Sequence, residues 1–283
     1  MHLNSSRPYL WMLAGSFSFA VMAALAHEAG RLCEWQIVAL ARCLLVMVFV
    51  GAIAVGSRAE LVLWRPRTLW LRSLAGSVSL VGSFYALARM DIATVLTITN
   101  MFPIWVAFLS LPMLGVWPAP RVWIAVLTGV VGVYFIHHPQ SDGPSTALFI
   151  AIGCSLSTAV AMLGLHRLQG LDPRAIVVHF AGVATVFSIA ALFVFDTVPG
   201  ALPFWHWQPV LLLLGVGVTA SIGQMFLTKA FASGDPSKVS IVSLTQVVFA
   251  FSFQLLQNQM PNARTMLGIA LILLPTAWVM RKP

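Results

Sequence analysis

Along the chain, long apolar runs alternate with short polar breaks. The runs predict ten helical spans near 9–28, 35–55, 68–88, 92–112, 121–138, 146–166, 174–195, 207–231, 237–257 and 263–280. Each approaches the roughly 20 residues that cross a bilayer core as a helix. The breaks "GSRAELVLWRPR", "HHPQSDGP" and "SGDPSK" combine charge with Gly or Pro, which is loop composition. No strand-length alternation of the kind an outer-membrane barrel requires is present. The first run follows "MHLNSSR" and ends "AALA", which resembles a secretory signal with its small-residue site. It is longer than the usual apolar region of such a signal and has a partner later in the chain, so it is expected to be the first helix. Nine of the ten tryptophans fall near predicted helix ends, where an amphipathic ring suits the headgroups, and Trp105 is the exception.

Composition agrees. Of 283 residues, 59% are hydrophobic and 8% charged, against roughly a quarter charged in soluble domains. The expected fold class is an all-α integral membrane protein of ten transmembrane helices. The net charge of +8 comes from basic residues placed singly or in small groups between apolar runs. That is a topology signal rather than a phosphate-binding face, and nucleic acid is excluded as a partner. Counted by side, Arg7, Arg58, Arg65, Arg67, Arg72, Arg121, Arg167, Arg174, Lys229, Lys238, Arg281 and Lys282 fall on the side of the N-terminus. Only Arg31, Arg89 and Arg264 fall on the other. Twelve against three predicts a multi-pass protein of a bacterial inner (plasma) membrane with both termini cytoplasmic. Cys33, Cys43 and Cys154 show neither a disulfide framework nor a zinc spacing and read as small core residues.

The chain also repeats. At a shift of 139, Ser16, Ser18, Ala20, Val21, His27, Leu32, Ile37 and Val38 meet Ser155, Ser157, Ala159, Val160, His166, Leu171, Ile176 and Val177. At a shift of 144, "ALARMDIATV" meets "AFASGDPSKV". Internal repeats take priority over local readings. Two halves, 1–140 and 141–283, each hold five helices, an odd number, so the second lies inverted relative to the first. Inverted halves can exchange conformations and open a central site to either side in turn, the arrangement of secondary transporters.

Two stretches carry a resemblance. "RPRTLWLRSLAGSVSLVGSFYALARMDIATVLTITNMFPIWVAFLS" with "PAPRVWIAVLTGVVGVYFIHHP" resembles the first half of an EamA-type member of the drug/metabolite transporter superfamily. "KAFASGDPSKVSIVSLTQVVFAF" with "LGIALILLP" is similar to the second half. The resemblance implies ten helices with both termini inside and passage of a small metabolite through a central cavity. Where many members carry a Gly-Glu pair at the ends of the fourth and ninth helices, this chain reads "GVWP" and "QNQMP". No role of that acid transfers.

Candidate chemistry lies inside the spans. In "MDIATVLTITNMFPIWVAF", Pro103 lacks an N–H, which frees the carbonyl of Thr99. At membrane depth such a carbonyl must face protein, water or ligand. Thr97 and Asn100 share a helix face with it and are substrate-binding candidates. Hydrogen bonding to neighbouring helices is the alternative for both. Thr245, Gln246, Gln224 and Tyr85 are further candidates, as are the repeat-related Ser18 and Ser157, with helix packing as the competing reading. Trp105 can stack on a planar substrate or fill the core. Arg42 is the one Lys or Arg well within a span, some seven residues past Trp35. It either serves substrate or gating or snorkels outward.

Glu28, Glu34, Glu60, Asp91, Asp142, Asp172, Asp196 and Asp235 all fall at helix ends or loops, so no mid-membrane carboxylate is available for an acid-based proton exchange. His179, inside the seventh helix, is the proton-coupling candidate. His27 and His166 are expected at interfaces, and the pair at 137–138 lacks further metal ligands. No metal site, cofactor or catalytic residue is expected, and phosphate-loop and dinucleotide fingerprints are absent.

The function these features predict is secondary transport of a small polar or zwitterionic metabolite, an amino acid or a nucleoside-like compound such as S-adenosylmethionine. Export of amphiphilic drugs is the alternative, with a membrane-embedded enzyme or scaffold acting on lipid behind it. The expected partners are the substrate and the lipid bilayer, and a homodimer is compatible with the sequence. The charge count is testable on a background lacking the native cysteines. A cysteine within 139–144 is expected to react with an impermeant label from outside and one within 168–172 only from inside. The reverse pattern contradicts the topology.

Overall fold

The computed structural model describes residues 6–90, 92–137, 145–194, 207–255 and 262–281. All regular structure among them is helical: α1 (Arg7–Gly30), α2 (Trp35–Gly56), α3 (Arg67–Leu87), α4 (Ile92–Thr99), α5 (Phe102–Leu114), α6 (Pro120–His137), α7 (Ser145–His166), α8 (Pro173–Val194), α9 (Trp207–Ser233), α10 (Pro236–Ser243), α11 (Thr245–Leu255) and α12 (Ala263–Arg281). Every expected span is present within a few residues. The fourth and ninth are each divided in two.

Among the described residues eight stretches are long and apolar enough to cross a membrane, and α6 is a shorter apolar helix. The helix α3 falls short of that standard because it carries Arg67, Arg72 and Ser73, Ser77, Ser79 and Ser83. Here the structure corrects the sequence reading. Arg72 was expected among the cytoplasmic cations, yet its side chain is buried to 1% exposure. Arg42 is therefore not the only cation within a span.

The main packing runs between the halves. The first helix α1 lies along α9, and its repeat mate α7 lies along α3. The pairs α2 with α8 and α6 with α12 each join a helix to its own mate. Lipid supplies no hydrophobic drive between helices, so such pairs depend on close approach of small residues. Gly132 of α6 and Gly268 of α12 illustrate this. A Cβ on either would lie 2.7 Å from the carbonyl oxygen of the other. Gly129, one turn earlier, leaves room for Leu244, which sits at the break between α10 and α11.

Caps account for two helix starts. Asp235 accepts from the N–H groups of Ser237 (2.9 Å) and Lys238 (3.3 Å) at the head of α10. Asp172 accepts from the Arg174 N–H at 2.8 Å and pairs with its guanidinium, which holds the Asp172 carboxyl below its ordinary range. The three cysteines are buried and unpaired, as expected.

Gly132→Ala and Gly268→Ala each force a backbone–backbone contact apart, at a cost typically about 1–3 kcal/mol. Thermal melts in detergent are expected to drop by several degrees for both. Gly153→Ala, where a Cβ meets nothing within 4 Å, is expected to leave the melt unchanged or slightly raised.

Candidate functional site

Two features depart from continuous, satisfied helix, and both lie where the halves meet. The first is the pair of breaks. The helix α4 ends at Thr99, and the chain turns at Asn100 and Met101. The new helix α5 then begins with Pro103 in its first turn, where a missing N–H costs nothing. The Asn100 N–H bonds Leu96 O at 3.0 Å and its side-chain Nδ2 donates to the same carbonyl at 2.7 Å. The amide is thus tied to its own helix, and among the described residues no hydrogen bond occupies its Oδ1. In the second half the break falls at Leu244, which is Asn100 shifted by 144. Its N–H closes a tight turn on Ile241 O at 3.1 Å.

Each break is backed by the first helix of the other half: α7 lies against α4 and α5, and α1 against α10 and α11. The half-helices α5 and α10 touch through the Ser110 and Ser237 hydroxyls at 3.2 Å. Thr245 is buried and donates to Val242 O at 2.7 Å, while Gln246 is half-buried with no hydrogen-bond partner among the described residues.

The second feature is a buried polar cluster on α3, α8 and α9. Ser73 Oγ and His179 Nδ1 share a hydrogen bond at 2.8 Å, and His179 Nε2 donates to the Leu63 carbonyl at 3.1 Å. A carbonyl only accepts, so Nε2 carries a proton, while the Ser73 hydroxyl can donate to or accept from Nδ1. The Trp70 ring packs on the His179 ring edge-on with centroids 4.8 Å apart. Beside this chain of bonds, the Arg72 guanidinium lies 4.2 Å over the Phe180 ring, and Nη2 reaches Gln224 Oε1 at 3.5 Å. Arg72 Nε and Nη1 are buried with no hydrogen-bond partner among the described residues.

The remaining candidates scatter. Thr97 is buried in α4. Tyr85 lies toward the far end of α3, its ring covered by the Arg89 guanidinium at 3.8 Å. Ser157 donates across to the Ala75 carbonyl at 2.8 Å, an interhelical bond between α7 and α3, whereas Ser18 is half-buried. Trp105 packs against the cluster that includes Tyr9, Met12, Leu69 and Phe231. Arg42 is half-buried in α2. His166 engages the Phe231 carbonyl at 3.0 Å, and His27 is exposed. The structure thus joins Gln224 and His179 into one neighbourhood through Arg72 and Ser73, which sequence reasoning missed. The available signal was α3 itself, the most polar of the predicted spans. No group of three or more metal-ligating side chains exists among the described residues. The second of the two sites expected to carry a Gly-Glu pair, and the histidine at 138, lie outside the described residues.

These features define a multispanning helical membrane protein, and comparison with known proteins makes it a transporter. The chain belongs to the EamA-like transporter family, whose model matches twice, over residues 6–137 and 145–281. It is 28% identical over 268 residues to the pseudopaline exporter CntI of Pseudomonas aeruginosa, covering 93% of this chain and 92% of that protein. It is 29% identical over 175 residues to a riboflavin transporter of Vibrio cholerae, covering 58% and 56%. A solved crystal structure shares the fold with a TM-score of 0.82 at 15% identity, covering 97% of this chain and 98% of that one.

Asn100→Ala removes a side-chain bond confined to one turn. Melting temperature is expected to change little, because a net hydrogen bond contributes about 1 kcal/mol. His179→Ala strands Ser73 and the Leu63 carbonyl and is expected to lower the melt clearly more than Asn100→Ala. Equal shifts would contradict the distinction drawn between the two.

Proposed function

We propose that the protein is a secondary transporter that moves a small polar or zwitterionic metabolite by alternating access. In this reading residues 1–140 and 141–283 are inverted five-helix halves, with both termini in the cytoplasm of a bacterium. The observation that carries it is the pair of breaks at equivalent positions, Asn100–Met101 and Leu244, each seated on the first helix of the opposite half. A broken helix exposes peptide groups at membrane depth, where they are tolerated only against protein or a polar cavity. Repeat-related breaks let the two halves hinge in opposite senses around one site. Asn100, Thr97, Gln246, Thr245 and Gln224 are the polar groups offered to the substrate. Two relatives named as carriers of particular compounds, a pseudopaline exporter and a riboflavin transporter, support passage of a small molecule.

Counterflow in proteoliposomes tests this. Preloaded unlabelled compound is expected to drive accumulation of the same labelled compound, unchanged chemically. A chemically altered product contradicts the reading. Pro103→Ala supplies an N–H to the Thr99 carbonyl and favours one continuous helix over α4 and α5. It is expected to slow counterflow several-fold while changing substrate affinity less than twofold.

A further inference from the structure

Resting on that reading, we infer that Arg72 is the anchor for a carboxylate carried by the transported compound. Arg72 is 1% exposed, and two of its three guanidinium nitrogens, Nε and Nη1, have no hydrogen-bond partner among the described residues. The third makes one long contact, 3.5 Å, with a neutral amide. None of the described acidic residues pairs with it, and all eight acids of the chain fall at predicted helix ends or loops. Removing one partner of a buried ion pair is strongly destabilising because the charge left behind is uncompensated. A lone guanidinium in an apolar span is therefore a group awaiting a counter-ion.

Its direction is as informative as its burial. Arginine near a helix end ordinarily extends back toward the headgroups. Arg72 instead lies over Gly76, one turn further into the span, where any Cβ would collide with Nη1. Gly76 is about 13 Å along the axis from Arg67 at the head of α3, nearly half of a bilayer core. Gln224 lies a similar distance from the end of α9 at Ser233. Glycine at 76 makes the room, Phe180 covers one face, and Gln224 leaves its own amide N–H groups available. One turn along α9, Thr228 Oγ1 is also buried without a hydrogen-bond partner among the described residues.

The chemistry selects the anion. A guanidinium offers parallel N–H donors that match a carboxylate in a two-point contact. Among the described residues no second cation touches Arg72. His179 bonds to Ser73 and to the Leu63 carbonyl rather than to the guanidinium. One positive charge balances one carboxylate, whereas a doubly charged phosphate would remain uncompensated. Arg42 is a poorer anchor because it keeps contact with the surroundings. The site is also one-sided: at the 144-residue shift Arg72 falls on Val216, so only the first half carries the cation.

The test uses full-length protein in detergent for binding and in proteoliposomes for transport. Probes are α-amino acids, N-acetylated amino acids and dicarboxylates, each beside its carboxamide, with inorganic phosphate and chloride as further arms. At least one carboxylate is expected to raise the wild-type melt by several degrees while its carboxamide does not, and to show counterflow. Arg72→Gln and Arg72→Met are expected to weaken that binding at least tenfold. Arg72→Met is also expected to raise the melt of the ligand-free protein, since it removes an uncompensated buried charge. If no carboxylate outperforms its carboxamide, if phosphate or chloride alone produces the shift, or if the shift survives both substitutions, the inference is overturned. Should the variants fail to fold, the wild-type comparison of acid with amide decides alone. Counterflow of neutral or cationic compounds without carboxylate binding would overturn the anchor and leave the transporter standing. Carboxylate binding without counterflow of any compound would do the opposite.

Discussion

In hydrocarbon a polar group that finds no partner inside the protein is costly, and the rest of this structure follows from how that demand is met. Most hydroxyls meet it locally: Ser77, Ser110 and Ser221 each donate to the carbonyl four residues earlier, all at 2.7 Å. A smaller set meets it across helices, as where Ser157 and Ser79 of facing helices join α7 to α3. Among the described residues Trp123 Nε1, Ser155 Oγ and Thr228 Oγ1 stay buried without a hydrogen-bond partner, and two larger features stand out, the breaks in the fourth and ninth spans and the guanidinium of Arg72. Both sit at contacts between the halves.

The arrangement of the helices makes those contacts mechanical. Each half packs less on itself than on its counterpart, and exchanging the halves maps α1 on α9 to α7 on α3. The glycine contacts between α6 and α12 leave no slack for gradual deformation at that pair. Movement is then most easily absorbed where helix is already interrupted. The half-helix α5 meets α10 through the Ser110 and Ser237 hydroxyls and through apolar packing in which Val106 shares one buried cluster with Val239 and Val242.

Much of this was legible in the chain. Run length predicted the spans, and the 139- and 144-residue shifts exposed a repeat that the family model also matches twice. Pro103 and Asn100 announced the first break. The second was hidden, because position 247, where a proline would correspond, is Val247 and Leu244 is an ordinary helix former. There Leu244 packs over Gly129, a contact between distant parts of the chain, and the Ser243 and Thr245 hydroxyls turn back to carbonyls three residues earlier. Arg72 was misread for a related reason. Five residues from the start of a span, an arginine is expected to reach for headgroups, and only the space over Gly76 and the ring of Phe180 turn it inward. Trp105 and Ser157 show the converse limit, since both packing and binding fit their sequence context and tertiary contact alone separates the two.

The central claim is that the halves rock about the paired breaks, so that one end of the bundle opens as the other closes. Val116 and Gly170 are exposed loop positions at one end, joined there by the hydrogen bond from Arg167 to the Met113 carbonyl. Ala88 and Asn262 are exposed at the other end. Spin-label distances across Val116–Gly170 and across Ala88–Asn262, measured in nanodiscs, follow the two ends independently. Two populations are expected in which one distance lengthens as the other shortens, with substrate shifting the balance. A single population at both ends, unchanged by any transported compound, would contradict the account.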